Sequence, residues 1–136
     1  MAQSIIETIK WIFFRKKVNQ NVVKKYKTDF RNILPKIEAT LINGNHIGQA
    51  RVIATLRRFL DENKIEAFIS ELQSVNMWGG SGAVWEVYFE NKGLEIEYYK
   101  EMLRLMDLMK LSGTECYGSN GVMNFFKQQL KSLAAK

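Results

Sequence analysis

The sequence predicts an all-α protein, folded as a single compact domain of five to seven helices that spans residues 1–136. Apolar residues recur at the spacing of an amphipathic helix through most of the chain. The length of 136 residues and the hydrophobic content of 46% are sufficient for one core. The single Cys cannot provide a disulfide framework, so the fold has to depend on that core.

Segments with the helical pattern are separated by residue types that favour helix ends. The predicted helices cover about residues 5–16, 20–34, 47–61, 65–72, 94–111 and 118–134. The first helix opens on Ser4, with Glu7 three residues later as in a capping box. Pro35 has no backbone N–H, so it should break or kink the second helix, with a short helix to about Leu41 after it. Turns are expected at residues 43–45, 63–64, 75–76 and 112–113.

The segment from residue 77 to residue 89 does not follow the helical pattern. Gly79, Gly80 and Gly82 predict a glycine-rich turn, because three glycines in four residues disfavour a helix and permit backbone conformations that other residues avoid. The β-branched and aromatic residues 83–89 fit either one short β segment or an extended piece packed against the helices.

The residue types that catalysis and metal binding require are scarce. One His excludes a His-pair metal motif, and one Cys excludes a Cys-rich zinc site. His46 has no evident nucleophile beside it, and Cys116 follows Glu115 rather than lying in the electropositive surroundings that activate a thiol. We therefore expect a protein that is not an enzyme, with no catalytic residues, no metal and no cofactor.

Charge divides the chain into two candidate partner surfaces. Residues 1–36 contain nine Lys and Arg against Glu7 and Asp29, whereas the remaining residues are close to neutral. The basic surface consists of Lys16, Lys17, Lys24, Lys25, Lys27 and Arg31. The acidic patch consists of Glu86, Glu90, Glu95, Glu97 and Glu101, with Trp78 and Trp85 as candidate aromatic anchors for a partner. Either cluster can instead be an ordinary solvated helix face.

The opening residues do not have the pattern of a membrane span or of a secretory signal. The longest uninterrupted apolar run there is 11–14, and the positive charges follow it rather than precede it. We expect a cytoplasmic protein whose partners are neither membranes nor nucleic acids, since no helix-turn-helix, zinc-finger or RNA-binding motif accompanies the basic residues.

Residues 72–87 resemble a recurrent segment of small, mainly helical bacterial proteins. In that segment a helix ends in an aromatic residue, which Gly-Gly-Met-Gly-Ser and an Asn-Asp pair follow. The matching residues are Trp78, Gly79, Gly80 and Gly82, and the differing ones are Ser81, Ala83, Trp85 and Glu86. Many such proteins look like immunity proteins of polymorphic or contact-dependent growth-inhibition toxin systems. The resemblance implies a cytoplasmic protein that binds and blocks a cognate toxin.

Two functions are therefore predicted. The first is a non-enzymatic immunity protein that covers the active site of a toxin domain, such as a nuclease, through the acidic patch and a tryptophan. The alternative is a nucleic-acid or membrane-surface adaptor that uses residues 10–36. The positive net charge argues against a nuclease target, since nucleases are commonly basic, and an acidic partner would meet the basic surface instead. The sequence leaves the oligomeric state open.

Overall fold

The computed structural model describes residues 18–135, and within that range the chain is helical apart from its connections. The helices are α1 (Gln20–Lys25), α2 (Lys27–Asn43), α3 (Ile47–Asp61), α4 (Ile65–Leu72), α5 (Val75–Trp78), α6 (Lys92–Ser112) and α7 (Tyr117–Ala134). The prediction of an all-α fold is confirmed. The helix predicted over residues 5–16 lies outside the described residues, as do Lys16 and Lys17 of the basic surface.

The helices end at the residue types that the sequence marked. Asn45 and Asn63 have positive φ angles of 64° and 57°, and Gly113 has a φ of 73° directly after α6. Asparagine and glycine tolerate this left-handed conformation better than other residues, which is why the chain can turn sharply there. The predicted helices over residues 47–61 and 65–72 are confirmed to the residue.

Of the break or kink predicted at Pro35, the break is wrong, because the helix continues through the proline. The helical chain is interrupted earlier, at Tyr26, and α2 then runs through Pro35 to Asn43. Buried residues on both sides of the proline, including Leu34 and Ile37, hold the helix against the core. This packing outweighs the one backbone hydrogen bond that proline removes. The break expected at residues 75–76 also differs, because α5 begins there.

The core lies where α2 packs against α3 and α6, and α6 also packs against α7. Phe30 of α2 packs edge-on against Phe68 of α4, with ring centroids 5.1 Å apart. The apolar stripe of α6, which includes Met102, Met106 and Met109, is buried as its spacing predicts. These residues belong to one hydrophobic cluster that extends from α1 to α7.

The chain between α5 and α6, residues 79–91, is irregular, and we call it the connector. It contains bends and turns around the glycines, with a φ of 89° at Gly82, and no described residue forms a strand over 83–89. A β segment needs a neighbouring strand to pair with its backbone, and the connector has helices beside it. Side chains supply the missing donors. The carbonyl oxygens of Gly79, Gly82, Val84 and Tyr88 accept hydrogen bonds from Trp85, Gln49, Tyr98 and His46, respectively.

Tyr98 of α6 is the residue on which the connector and α7 meet. It is fully buried, and its hydroxyl donates a hydrogen bond to the Val84 carbonyl. Its ring contacts Phe89 of the connector and Phe126 of α7, at centroid distances of 5.0 and 5.9 Å. Burial raises the pKa of Tyr98 well above the ordinary value, and electrostatic interaction with Tyr99 and Glu101 raises it further. The hydroxyl therefore stays protonated as a donor.

We expect Tyr98→Phe to lower the free energy of unfolding by about 1–3 kcal/mol, because the buried Val84 carbonyl loses its donor while the ring contacts remain. Tyr99→Phe is the matched control. The Tyr99 hydroxyl donates to Glu95, a partly exposed carboxylate that water can hydrate instead, so its loss should cost less. Chemical denaturation of the two variants measures the difference. Equal losses of unfolding free energy in the two variants would show that the hydrogen bond to Val84 stabilises the fold no more than the one to Glu95.

Candidate functional site

A groove of about 1050 Å³ lies between the connector and the first half of α7, and we call it the aromatic groove. Residues 85–88 form one wall and residues 115–126 the other, with Tyr99 of α6 between them. Its aromatic lining residues are Trp85, Tyr88, Tyr99, Tyr117, Phe125 and Phe126. The groove therefore exists because Tyr98 and the core hold the connector beside α7.

Several of these aromatic side chains are open to solvent. Tyr88 is 76% exposed, Tyr117 48% and Phe125 43%. Trp85 is half-buried, donates from Nε1 to the Gly79 carbonyl at 2.5 Å, and meets the Phe125 ring edge-on at 6.0 Å. Large apolar side chains exposed together are unusual on a monomer surface and mark a site where a partner or ligand binds.

The start of α7 is fixed by a reciprocal cap. Cys116 is its N-cap residue, and the Ser119 hydroxyl accepts a hydrogen bond from the Cys116 backbone N–H at 3.0 Å. The buried Cys116 thiol in turn faces the Ser119 hydroxyl at 3.6 Å. The cysteine thus has a structural role in placing the groove wall.

Gly121 lies in this wall without an evident structural need for glycine. A Cβ built on it would meet no atom within 4 Å, and its φ is not positive. Glycine inside a helix costs about 0.5–1 kcal/mol relative to alanine. The absence of a side chain there keeps the groove open at some cost in helix stability.

The groove has the opposite charge character to the chain as a whole. Glu86 and Glu115 line it, and among residues 18–135 its lining includes neither Lys nor Arg. The chain carries a net charge of +6. A groove with aromatic walls and two carboxylates favours cationic or neutral groups over anionic ones.

The acidic patch is only partly a surface cluster. Glu86, Glu90 and Glu97 are exposed, and Glu86 is in the aromatic groove. Glu95 is half-buried and accepts the hydrogen bond of Tyr99. Burial, together with that carboxylate, raises the pKa of Tyr99 to about 12, so its hydroxyl remains a donor. Of the five predicted glutamates, Glu86 is the one placed in the groove.

The prediction that Trp78 and Glu101 belong to a partner-binding surface is corrected, because both residues are buried. Trp78 is 4% exposed, and its Nε1 donates to the Leu72 carbonyl at 2.7 Å. Glu101 is 9% exposed and accepts a hydrogen bond from the Thr40 hydroxyl at 2.7 Å. Both residues lie on the inward face of their helices and pack between elements, so neither presents its polar group to a partner. Trp85, the other predicted anchor, does reach the groove.

The residues of the basic surface also differ in exposure and in the partners they contact. Lys24 and Lys25 are exposed at the end of α1, and Lys27 is half-buried. Arg31 forms an ion pair with Asp61 of α3 at 3.2 Å. Part of the positive charge therefore joins helices to each other rather than forming a continuous surface for phosphates.

Sequence reasoning missed Tyr88, Tyr117 and Phe125 as site residues. In sequence Phe125 is indistinguishable from its neighbour Phe126, which is fully buried. Buried residues of α7 recur at Val122, Met123 and Phe126, so Phe125 lies off that stripe. An aromatic residue just outside a helix's buried stripe was the available signal.

The remaining candidate for chemistry, His46, has a structural position. Its Nε2 donates to the Tyr88 carbonyl at 2.6 Å, and its ring lies edge-on to Phe89 at 5.0 Å.

Within residues 18–135, no group of three His, Cys, Asp or Glu side chains could hold a metal ion. Over the same residues, no helix combines the length and apolar character needed to cross a bilayer. No family model, curated protein or solved structure matches the chain.

We expect Gly121→Ala to raise the free energy of unfolding by about 0.5–1 kcal/mol, because the new methyl group meets open space and alanine favours the helix. Gly113→Ala is the contrasting variant. Its left-handed backbone should make the same change cost about 1–2 kcal/mol. Thermal or chemical denaturation checks both. Destabilisation by Gly121→Ala would show that the groove wall needs glycine for its own folding.

Burial raises the pKa of Glu101, the Thr40 hydrogen bond opposes this, and Glu97 raises while Lys36 lowers the pKa to smaller extents. The folded state thus holds this proton more tightly than the unfolded state does. The resulting stabilisation is complete below the ordinary carboxyl pKa and is lost as pH rises through the raised pKa of the folded protein.

We expect Glu101→Gln to gain stability relative to the unmodified chain as pH rises from about 4 to about 8, because glutamine accepts the Thr40 hydrogen bond without ionising. Glu90→Gln, an exposed site, is the control and should show no such trend. Unfolding free energies across that pH range measure the effect. A difference that is constant with pH would contradict this role of Glu101.

Proposed function

We propose that the protein is a non-enzymatic immunity protein that binds a cognate bacterial toxin domain and covers its active site. The aromatic groove is the surface through which it binds. The observation that carries the proposal is the exposure of Tyr88, Tyr117 and Phe125 around one groove, whose charged lining residues within the described part of the chain are carboxylates. Within residues 18–135 these rings stay exposed, and a cluster of exposed aromatic side chains fits the core of an interface.

The resemblance noted for residues 72–87 supports the same function. Its matching residues are Trp78 and the glycines at 79, 80 and 82, and the groove wall of residues 85–88 follows them directly in the chain. Side chains from α3 and α6 fix the connector carbonyls, so this wall is ordered before a partner arrives. Preorganisation of this kind reduces the entropy lost on binding and suits tight inhibition.

The acidic groove also bears on the class of toxin. The net positive charge of the chain as a whole disfavours a basic target. The groove and the exposed Glu90 and Glu97 offer negative charge locally. A toxin whose active-site rim is basic, as in a nuclease, would be attracted to this part of the surface and lose access to its own substrate.

The test is co-purification with, and growth rescue from, the C-terminal domain of a secreted toxin encoded next to this chain's gene. The unmodified chain should bind that domain and restore growth. Tyr88→Ala and Glu86→Arg should each weaken the affinity about tenfold, as central interface residues do. Leu111→Ala is the matched control, since Leu111 is also exposed but lies outside the groove.

Failure of the unmodified chain to bind and to rescue would overturn the proposal. Steeply salt-dependent binding to generic DNA, RNA or anionic vesicles, lost on Lys24→Glu with Lys25→Glu, would replace it with the adaptor function. Loss of toxin binding in that double variant, with Tyr88→Ala and Glu86→Arg unaffected, would contradict the groove as the interface.

A further inference from the structure

We infer that residues 1–17 of this chain pack into the aromatic groove when no partner is bound, so that a partner has to displace them. We call these residues the N-terminal segment. Packing of the segment follows from the chain's own residues, whereas displacement by a toxin domain rests on the proposed function. The groove would then bind its partner in competition with a part of the same molecule.

The N-terminal segment joins the described chain beside the helices that lead to the groove. Val18 is half-buried and packs against the hydrophobic cluster, and it leads into α1, which contacts α4 and α6. The end of α4 lies next to the start of α7, because the Gln73 side chain donates to the Thr114 carbonyl at 3.1 Å. The segment is therefore tethered near the groove wall that residues 115–126 form.

The length of the segment matches the distance that it has to cover. Seventeen residues extend about 25 Å as a helix, whereas the groove-lining half of α7, residues 117–126, extends about 15 Å. The groove volume of about 1050 Å³ accommodates several side chains. A tethered segment has an effective concentration on the order of mM, so it occupies the groove even when the contact is weak.

The residue pattern of the segment fits an aromatic groove. The sequence predicts a helix over residues 5–16, and its apolar stripe consists of Ile5, Ile9, Ile12 and Phe13. An amphipathic helix is stable when it buries such a stripe against another element. The groove offers the exposed rings of Tyr88 and Phe125 for that purpose.

The glycines of α7 permit a second helix to come close. Gly118 and Gly121 are three positions apart, lie on one face of α7 and both line the groove. A Cβ at Gly121 would meet no atom within 4 Å. Glycine lowers helix stability, and its use at a surface allows another backbone to approach closely.

The charges of the segment and the groove are complementary. The basic residues of the segment are Lys10, Arg15, Lys16 and Lys17, against one acidic residue, Glu7. The groove is lined by Glu86 and Glu115. Packing of the segment brings cations towards these carboxylates, which favours this occupant over an acidic one.

Limited trypsin digestion of the full chain tests the packing, because trypsin reaches the bond after Lys10 when the segment is released. Gly121→Trp places an indole in the groove and should speed this cleavage about tenfold or more, since the rate follows the released population. Gly80→Trp is the matched control, because its Cβ also meets open space and Gly80 lies outside the groove. Cleavage after the exposed Lys127 should stay constant, which separates release of the segment from unfolding.

Amide hydrogen exchange of variants in the segment gives a second test that leaves the groove unaltered. Ile9→Gln with Phe13→Gln removes apolar side chains from the stripe and should lower the protection of residues 85–88 and 115–126. The control pair, Trp11→Gln with Phe14→Gln, removes two apolar side chains that lie off the stripe. It should leave the protection of both groove walls close to that of the unmodified chain.

The toxin domain tests the competition. The chain with Ile9→Gln and Phe13→Gln should bind it about tenfold more tightly than the unmodified chain, because no segment has to be displaced. Equal affinity would overturn the inference, as would equal cleavage after Lys10 in Gly121→Trp and the unmodified chain, or unchanged exchange at the groove walls. Protection of Lys10 that rises with protein concentration would also overturn it, by making a second copy the source of the segment. A toxin domain that binds neither chain would reject the proposed function, while digestion and exchange measure the packing without it.

Discussion

The contact between Tyr98 and the connector is the constraint on which the site depends. One side chain of α6 supplies a hydrogen bond to the connector backbone and a ring that contacts both Phe89 and Phe126 of α7. The irregular wall of the groove is thereby fixed to the same helix that supports the helical wall. A buried polar group with a satisfied partner specifies one arrangement, because every alternative leaves it unpaired.

The fold was predictable where local pattern and tertiary packing agree. The helices over residues 47–61 and 65–72 have apolar spacing on one face and a turn signal at Asn63, and the structure has the same bounds. Pro35 shows the opposite case, since the local rule predicts a break and burial of the flanking residues overrides it. Local rules fail where distant contacts supply more stabilisation than the local preference costs.

The site was less predictable, because its geometry depends on contacts between residues far apart in the chain. His46 reaches Tyr88 across 42 positions, and Gln49 reaches Gly82 across 33. No spacing rule indicates such pairs. Trp78 and Trp85 looked equivalent in sequence. Trp78 is buried and donates a hydrogen bond to the Leu72 carbonyl, whereas Trp85 lines the groove. In irregular chain, neither period 2 nor period 3.6 tells which side chain is exposed.

Charge illustrates the difference between composition and surface. The net charge of +6 suggested an anionic partner, whereas the groove presents Glu86 and Glu115 among aromatic rings. Positive charge is partly used between helices, as in the Arg31–Asp61 pair. A partner responds to the local potential of the surface it meets, and here that surface is acidic.

The most direct measurement is amide hydrogen exchange of the chain with and without the toxin domain bound. The account predicts that protection on binding is concentrated at residues 85–88 and 115–126, the two walls of the groove. Protection confined to residues 20–36, with the groove walls unchanged, would contradict it.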